Sequence, residues 1–281
     1  MTIFALEQTA PVPGDLAGNT EELLRRAENA LREGAQIVVF PELAVSGYVV
    51  APEQVARAGQ PLDGPLVASL TPLAKVHGGL VAAGYVETDG DEHFNSVVLV
   101  GPDGPMLNYR KVHLFDLEKQ GFSPGDELPV VATEHGNVGV CICYDLRFVE
   151  VLRSLSLRGA DVVLAPAAWT SGFDISVPAT GMVRQAEAVV VQANLDQVAV
   201  VAVSQAGIHP QHRVTTLGGS LAVDAFGDIV VGPLSRTEAD AAHAVIDIDK
   251  GRQARVRTER IRPREDRRTD VYDVRYHEEA L

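Results

Sequence analysis

Cysteine, long apolar runs and positive charge are all scarce in this sequence, and each scarcity excludes a class of protein. The two cysteines, Cys141 and Cys143, are separated by one residue, so they cannot easily bridge each other on an extended strand. A disulfide framework is therefore excluded, which fits a reducing compartment. No apolar run reaches the length of a membrane span, and the start of the chain lacks the basic flank of a signal peptide. We expect a soluble, cytoplasmic protein with no membrane partner.

Positive charge is outnumbered, because 24 lysines and arginines face 38 aspartates and glutamates and the formal net charge is −14 at pH 7. A field of this sign repels phosphate backbones, so nucleic acid is not an expected partner. Hydrophobic residues make up 46% of the 281 residues, enough to bury a large core. We expect a single domain over residues 1–281, with residues 252–281 forming an extended C-terminal arm.

Short β-rich segments alternate with helical stretches, the pattern of an α/β fold. Segment 15–35 is predicted to be a helix, since Leu23, Ala27 and Leu31 recur on one face and Gly34 ends it. Further helices are predicted near residues 147–158 and 180–193. Strands are predicted at residues 3–10, 36–43, 78–87, 93–104, 106–115, 137–145, 161–168, 198–206 and 220–232.

Cys143 lies where a predicted buried strand gives way to a helix, which Asp145 would cap. A thiol there meets the positive end of the helix dipole and free backbone amides, and both favour the thiolate. We therefore interpret Cys143 as a nucleophile. The alternative, a small buried apolar side chain, is the more common role of a free cysteine and the one that we assign to Cys141.

A cysteine nucleophile needs a base, and the contexts of His113 and His135 do not identify either of them as one. Glu42 in "VVFPEL" directly follows a strand, so its carboxylate projects from the end of the sheet where α/β proteins place their sites. A partly buried carboxylate there can accept a thiol proton. The alternative for Glu42 alone is a solvated charge at the end of a strand.

Lys111 in "NYRKVHLF" alternates with Val112 on a predicted strand, so its side chain can face inward. A buried lysine is costly unless it is paired, and Glu42 or Glu118 could pair with it. Such a cation can hold the negative charge that develops on a carbonyl oxygen. The alternative is a lysine on the protein surface.

The segments "FPELAVSGY", "YRKVHLF" and "CICYDLRF" together resemble the motifs of the nitrilase, or carbon-nitrogen hydrolase, superfamily. The resemblance covers essentially the whole chain, as far as "RIRPREDRRTDVY". The Glu-Lys-Cys triad of this family falls on Glu42, Lys111 and Cys143. The resemblance also implies a four-layer αββα sandwich, with two mixed β-sheets between helical layers, and a homodimer.

The same resemblance implies a second glutamate in the site, which falls on Glu118, with Glu127 as the weaker alternative. The backbone N–H of Tyr144 would join Lys111 in an oxyanion hole. The implied activity is a cysteine-dependent amidase that forms a thioester and needs no metal or organic cofactor. A transferase, in which an amine intercepts the thioester, and a non-catalytic binding scaffold are the alternatives from other classes.

The continuation "CYDLRF" resembles the amidase branches of the superfamily more than true nitrilases. Trp169, with Tyr48 and Phe173, could line a compact substrate pocket, although Trp169 could equally be a core residue. We expect small aliphatic amides as substrates, and omega-amides such as 2-oxoglutaramate or glutamine as the alternative. His209 and His212 form the only short histidine pair, which without further ligands does not indicate a metal site.

Overall fold

The structure, a computed structural model, describes residues 1–170, 184–209, 214–277 and 279–280. Its strands are β1 (Thr2–Gln8), β2 (Ile37–Val39), β3 (Leu80–Asp89), β4 (Glu92–Gly101), β5 (Gly104–Arg110), β6 (Val130–Thr133), β7 (Gly136–Val140), β8 (Val162–Ala167), β9 (Ala199–Ser204), β10 (Ala206–His209), β11 (Val214–Leu217), β12 (Leu221–Val223), β13 (Ile229–Val231), β14 (Asp240–Ile246), β15 (Arg275–Tyr276) and β16 (Glu279–Ala280). Its helices are α1 (Leu16–Arg32), α2 (Pro52–Ala58), α3 (Pro65–His77), α4 (Glu118–Gly121), α5 (Val149–Leu157), α6 (Arg184–Asp196) and α7 (Ile248–Gln253), and a 3-10 helix spans Cys143–Arg147.

Helix α1 forms where its apolar periodicity predicts it. The Asp15 side chain accepts a hydrogen bond from the Gly18 N–H at 3.0 Å and caps the first turn. Leu23 and Ala27 are buried on the face that meets the sheet. Gly34, with φ of 97°, takes the left-handed conformation just beyond the helix, a conformation that other residues rarely adopt.

Two six-stranded sheets dominate the fold and share one plan. The first has the order β14-β1-β2-β3-β4-β5 and the second β13-β12-β9-β8-β7-β6. In each sheet three central strands are parallel, and the outer strands add in antiparallel fashion. Both sheets are therefore mixed, as predicted. Parallel strands bring their carboxyl ends to one edge, where the loops that follow β2 and β7 can carry a site.

Alternating side chains along the central strands separate the layers. Phe4 and Leu6 of β1 share a cluster with Val140 of β7, which is the core between the two sheets. Ala5, which points the other way, packs with Leu23 of α1 on the outer face of the first sheet. On the outer face of the second sheet, a further cluster joins its strands to α5 and α6. Four layers result, and the αββα sandwich is confirmed.

Several element boundaries differ from the sequence prediction. The strand predicted at 137–145 ends at Val140, and the strand predicted at 106–115 ends at Arg110, which leaves Lys111 just beyond it. The segment 220–232 is two short strands separated by a turn in which Asp224 accepts hydrogen bonds from backbone N–H groups. Helices α2 and α3 were not predicted because prolines begin both, although a proline suits the first helical turn.

Helix α7 and the segment that follows it contact residues next to strands of the second sheet. Asp161 at the start of β8 forms ion pairs with Arg252 at 2.8 Å and with Arg255 at 2.7 Å. The Tyr276 hydroxyl accepts a hydrogen bond from the Leu128 N–H at 3.0 Å. None of the helices in the described part of the chain combines the length and apolar character that a membrane crossing requires.

Candidate active site

Glu42 lies in a tight turn that follows β2. Its neighbour Leu43 has a positive φ of 48°, a conformation uncommon for a leucine. Gly84 of β3 lies directly beneath the turn, since a Cβ there would come within 2.4 Å of the Pro41 carbonyl oxygen and 2.5 Å of the Leu43 nitrogen. The Gln205 side chain donates a 2.7 Å hydrogen bond to the Glu42 carbonyl oxygen. The backbone of Glu42 is therefore fixed by both sheets.

The Glu42 carboxylate is completely buried and uses its two oxygens differently. Its Oε1 accepts hydrogen bonds from Lys111 Nζ at 2.6 Å and from Asn95 Nδ2 at 2.7 Å. Its Oε2 has no hydrogen-bond partner among the described residues. One oxygen thus anchors the side chain while the other stays available to accept a proton.

Lys111 is the buried cation of the site, with neither its side chain nor those of its partners exposed. Its ammonium bridges Glu42 at 2.6 Å and Glu118 at 2.9 Å. Burial disfavours the ammonium, but the charges of the two carboxylates outweigh it and raise the lysine pKa above its ordinary value. The backbone on either side is held too, since the Lys111 N–H donates to the Asn95 carbonyl oxygen at 2.9 Å and its own carbonyl oxygen accepts from the Gly125 N–H at 2.9 Å.

Glu118 opens α4 and is the second glutamate beside the lysine. Its Oε1 accepts a hydrogen bond from the Tyr48 hydroxyl at 2.9 Å, and its Oε2 accepts one from the Phe115 N–H at 2.9 Å. Burial raises the pKa of Glu118 even though Lys111 opposes the rise. Burial and the Glu118 charge likewise raise the pKa of Tyr48. Glu127, the weaker alternative from the sequence, is exposed.

Cys143 begins the 3-10 helix with a positive φ of 47°, and its side chain is half-buried. Burial and the Glu42 charge raise the pKa of its thiol well above the ordinary value, while Lys111 and a backbone hydrogen bond with Ala168 oppose the rise. The sequence prediction of a dipole-stabilised thiolate is therefore wrong in direction. Cys143 opens a five-residue 3-10 helix, the predicted α-helix begins only at Val149, and the Glu42 carboxylate lies close by. The thiol needs a base.

Asp145 ties the turn that carries Cys143 to the segment that carries Lys111. Its Oδ2 accepts hydrogen bonds from the Tyr109 hydroxyl at 2.6 Å and the Ile142 N–H at 2.8 Å. Its Oδ1 lies 3.0 Å from the His113 N–H and 2.9 Å from His113 Nδ1. The predicted capping role of Asp145 was thus too narrow, because the same carboxylate also joins two loops. His113 thus contacts Asp145 through both its backbone N–H and its ring.

The remaining residues that the sequence analysis placed at the site, Tyr144 of the oxyanion hole and the pocket residues Trp169 and Phe173, have different surroundings. Tyr144 directly follows Cys143, and its ring contacts Phe115 with centroids 5.1 Å apart. Trp169 is 2% exposed and packs in the cluster between the second sheet and its helices. Phe173 lies outside the described residues, as does the chain between His209 and Val214, so the pocket role of Trp169 stays a prediction.

Some residues that shape the site were not singled out in the sequence. Asn95 was read as part of a strand, although a polar side chain within the apolar run "FNSVVLV" is a signal that could have been used. Gly84 and Gln205 carried no such signal, because their importance depends on the close approach of a loop from elsewhere in the chain. Among the described residues, no group of histidine, cysteine and acidic side chains could hold a metal ion.

Comparison with known proteins identifies the family. The model of the carbon-nitrogen hydrolase family matches residues 4–256. The fold, the buried Glu42–Lys111 pair and the adjacent Cys143 agree with that match. The chain belongs to the carbon-nitrogen hydrolase family, within the nitrilase superfamily, and it is a hydrolase.

Individual relatives support this assignment. The chain is 34% identical over 247 residues to an (R)-stereoselective amidase from Pseudomonas sp., covering 87% of this chain and 84% of the relative. It is 30% identical over 270 residues to an omega-amidase from Xenopus tropicalis, covering 91% of each chain. An amidase from Nesterenkonia sp. AN1 shares the fold with a TM-score of 0.76 at 24% identity, over 96% of this chain and 98% of that one.

Proposed function

We propose that this protein hydrolyses small aliphatic amides to a carboxylic acid and ammonia through a thioester on Cys143. The amidase relatives support amide hydrolysis, and the surroundings of the thiol support the covalent route. The observation that carries the proposal is the unequal use of the Glu42 oxygens. Oε1 is held by Lys111 and Asn95, while Oε2 is buried without a partner among the described residues and can take a proton.

In the first half-reaction Glu42 accepts the proton of the Cys143 thiol, and the sulfur attacks the amide carbonyl carbon. The negative charge that develops on the carbonyl oxygen is stabilised by the Lys111 ammonium and the Tyr144 N–H. As the carbon-nitrogen bond breaks, Glu42 returns the proton to the leaving nitrogen. Ammonia departs and the acyl group stays on sulfur as a thioester.

In the second half-reaction Glu42 takes a proton from a water molecule, and the resulting hydroxide attacks the thioester. The same oxyanion contacts act again, the carbon-sulfur bond breaks and the thiol is reprotonated. Glu118 plays no part as a base in this scheme, because Lys111, Tyr48 and the Phe115 N–H already occupy its oxygens. Its role is to hold Lys111. These steps require no metal or organic cofactor.

Ammonia release from a panel of amides tests the proposal. The panel holds acetamide, propionamide, butyramide, glutamine, 2-oxoglutaramate, a carbamoyl amino acid and propionitrile. Butyramide is included because a cysteine-to-alanine mutant of the Nesterenkonia amidase has been crystallised with it. Turnover of the small amides by the wild type, with none by Cys143→Ala, supports the proposal. Equal rates for the two proteins contradict it.

An omega-amidase is the second candidate, and the relative from Xenopus tropicalis is the observation that favours it. Such an enzyme has to bind the distal carboxylate of its substrate, and a cation is the usual partner for a carboxylate. Lys111 is already committed to two carboxylates, and Arg147 next to the nucleophile segment is exposed. Turnover of 2-oxoglutaramate or glutamine without turnover of the small amides would establish this second candidate in place of the first.

We also propose that two copies of the chain pair through α5 and α6, which lie side by side and are joined by an Arg153–Asp196 ion pair. Val149, Val191 and Leu195 on these helices are 61%, 56% and 55% exposed. Apolar side chains gathered on neighbouring helices are typical of a protein interface. Sedimentation at micromolar concentration tests this, and a stable monomer would contradict it.

A further inference from the structure

Asn95 of β4 is a fully buried amide whose side chain contacts the carboxylate of Glu42. Its Nδ2 donates to Glu42 Oε1 at 2.7 Å, while its Oδ1 has no hydrogen-bond partner among the described residues. Its backbone carbonyl oxygen accepts from the Lys111 N–H at 2.9 Å. One residue therefore touches both the carboxylate and the segment that carries the cation.

We propose that Asn95 is a positioning residue that fixes the Glu42 carboxylate so that Oε2 faces the reaction. Together with Lys111 it saturates Oε1, which prevents the carboxylate from exchanging its two oxygens. This inference rests on the proposed function, in which Glu42 is the base. Asn95 itself does not touch the reacting atoms in that scheme.

A purely structural role explains the amide poorly. A buried carbonyl oxygen without a donor costs free energy, and an apolar side chain of the same shape avoids that cost. Leucine at this position would leave no unmet acceptor of its own. What asparagine supplies and leucine cannot is the N–H donor directed at Glu42.

The charge balance around Glu42 sets the expected pH effect. Lys111 faces Glu42 from the segment after β5, and Glu118 faces it from α4. Tyr48 approaches from the loop after β2, and Cys143 approaches from the 3-10 helix. Lys111 is the only cation among these groups, so the neutral Asn95 donor adds directly to the stabilisation of the carboxylate form. A donor to the charged form lowers the pKa of a carboxyl group, and its removal raises that pKa.

The test compares Asn95→Leu with the matched variant Asn108→Leu. Asn108 of β5 also donates to a buried glutamate at 2.8 Å, but this glutamate is Glu87 and not Glu42. Both variants lose an asparagine-to-glutamate hydrogen bond in the same sheet. The profile of kcat/KM against pH is measured for wild type and both variants, on an amide that the wild type hydrolyses, and urea unfolding reports the folded fraction.

For Asn95→Leu we expect kcat/KM to fall by about tenfold or more at the pH optimum and the acid limb to move to higher pH by about one unit. The acid limb moves to higher pH because a base with a raised pKa stays protonated up to a higher pH. For Asn108→Leu we expect an unmoved acid limb. Asn95→Asp keeps the shape but replaces the donor with an acid, and it should move the limb in the same direction even if Asn95→Leu folds poorly.

An acid limb that stays in place in both Asn95 variants overturns the inference, whether or not activity falls. A shift of equal size in Asn108→Leu also overturns it, because the effect would then not depend on Glu42. Failure of the proposed function looks different, since Cys143→Ala would then release ammonia at the wild-type rate. A dead Cys143→Ala with an unmoved limb in the Asn95 variants removes the inference and leaves the proposed function standing.

Discussion

The Tyr109 hydroxyl donates a 2.6 Å hydrogen bond to Asp145 Oδ2, and both residues are fully buried. Tyr109 lies two residues before Lys111, and Asp145 lies two residues after Cys143. One hydrogen bond thus joins the end of β5 in the first sheet to the 3-10 helix that follows β7 in the second. Since the proposed chemistry needs Lys111 and Cys143 in register, this contact links the packing of the two sheets to the geometry of the site.

Tyr109→Phe tests that link. The substitution removes one of the two donors to Asp145 Oδ2, so we expect the free energy of unfolding to fall by about 1–3 kcal/mol. We also expect kcat/KM to fall roughly tenfold, because the nucleophile segment loses a fixed contact with the lysine segment. The matched control is Tyr85→Phe, which removes a hydroxyl bonded to Asn108 at 3.1 Å. Wild-type activity in Tyr109→Phe, or equal losses of activity in both variants, contradicts the account.

Gly84→Ala tests the close approach beneath Glu42. The added methyl group would meet backbone atoms of Pro41 and Leu43 at 2.4 and 2.5 Å, so the turn has to shift and carry the carboxylate with it. We expect kcat to fall by at least about tenfold. Gly101→Ala on the neighbouring strand β4 is the control, since its methyl group would meet the flexible Met106 side chain at 2.7 Å. Similar kinetics for the two variants would show that this contact does not position Glu42.

Lys111→Met tests the buried charge balance. Without the cation, Glu42 and Glu118 are buried without their main partner. We therefore expect the free energy of unfolding at pH 8 to fall by roughly 3–5 kcal/mol. The decrease in the free energy of unfolding should be smaller at pH 5. Carboxyl groups whose folded-state pKa is raised, as that of Glu118 already is, stabilise the fold below their unfolded pKa and lose this contribution as the pH rises.

Urea unfolding of Lys111→Met at the two pH values measures the effect, and Lys119→Met serves as its control. Lys119 follows Glu118 in α4 but is exposed, so its substitution should change stability little at either pH. An equal loss at pH 5 and pH 8 in Lys111→Met would contradict the account.

Apolar periodicity predicted the α/β class and many of the elements, because it is set by which face of each element is buried, whereas the four-layer sandwich was predicted from the resemblance to the nitrilase superfamily. Strand β8 is a continuous apolar run, β3 begins with one, and α1 repeats its buried leucines and alanines at helical spacing. Strand β14 was not predicted, because "DAAHAVI" lies at the sheet edge and mixes exposed and buried positions. Edge strands carry a weaker pattern than central ones.

The candidate site was accessible from sequence only where a residue type is chemically unusual for its position. Glu42, Lys111 and Cys143 lie shortly after β2, β5 and β7, and the structure brings them and Glu118 together. The direction in which the Cys143 pKa is shifted was not accessible, because it depends first on burial and then on the Glu42 charge, and only the fold determines both. The role of Gly84 was not accessible either, since it depends on a turn from elsewhere in the chain, whereas Asn95 stood out as a polar residue in an apolar run and was overlooked.

In the proposed reaction the acyl group of the substrate is carried on Cys143, and mass spectrometry of the protein during turnover can detect it there. Wild type and Cys143→Ala are mixed with butyramide, quenched in acid during steady turnover, and digested. We expect the acyl mass on the wild-type peptide that contains Cys143 and on no peptide of the variant. Ammonia release with no acyl mass on Cys143, together with an active Cys143→Ala, would contradict it.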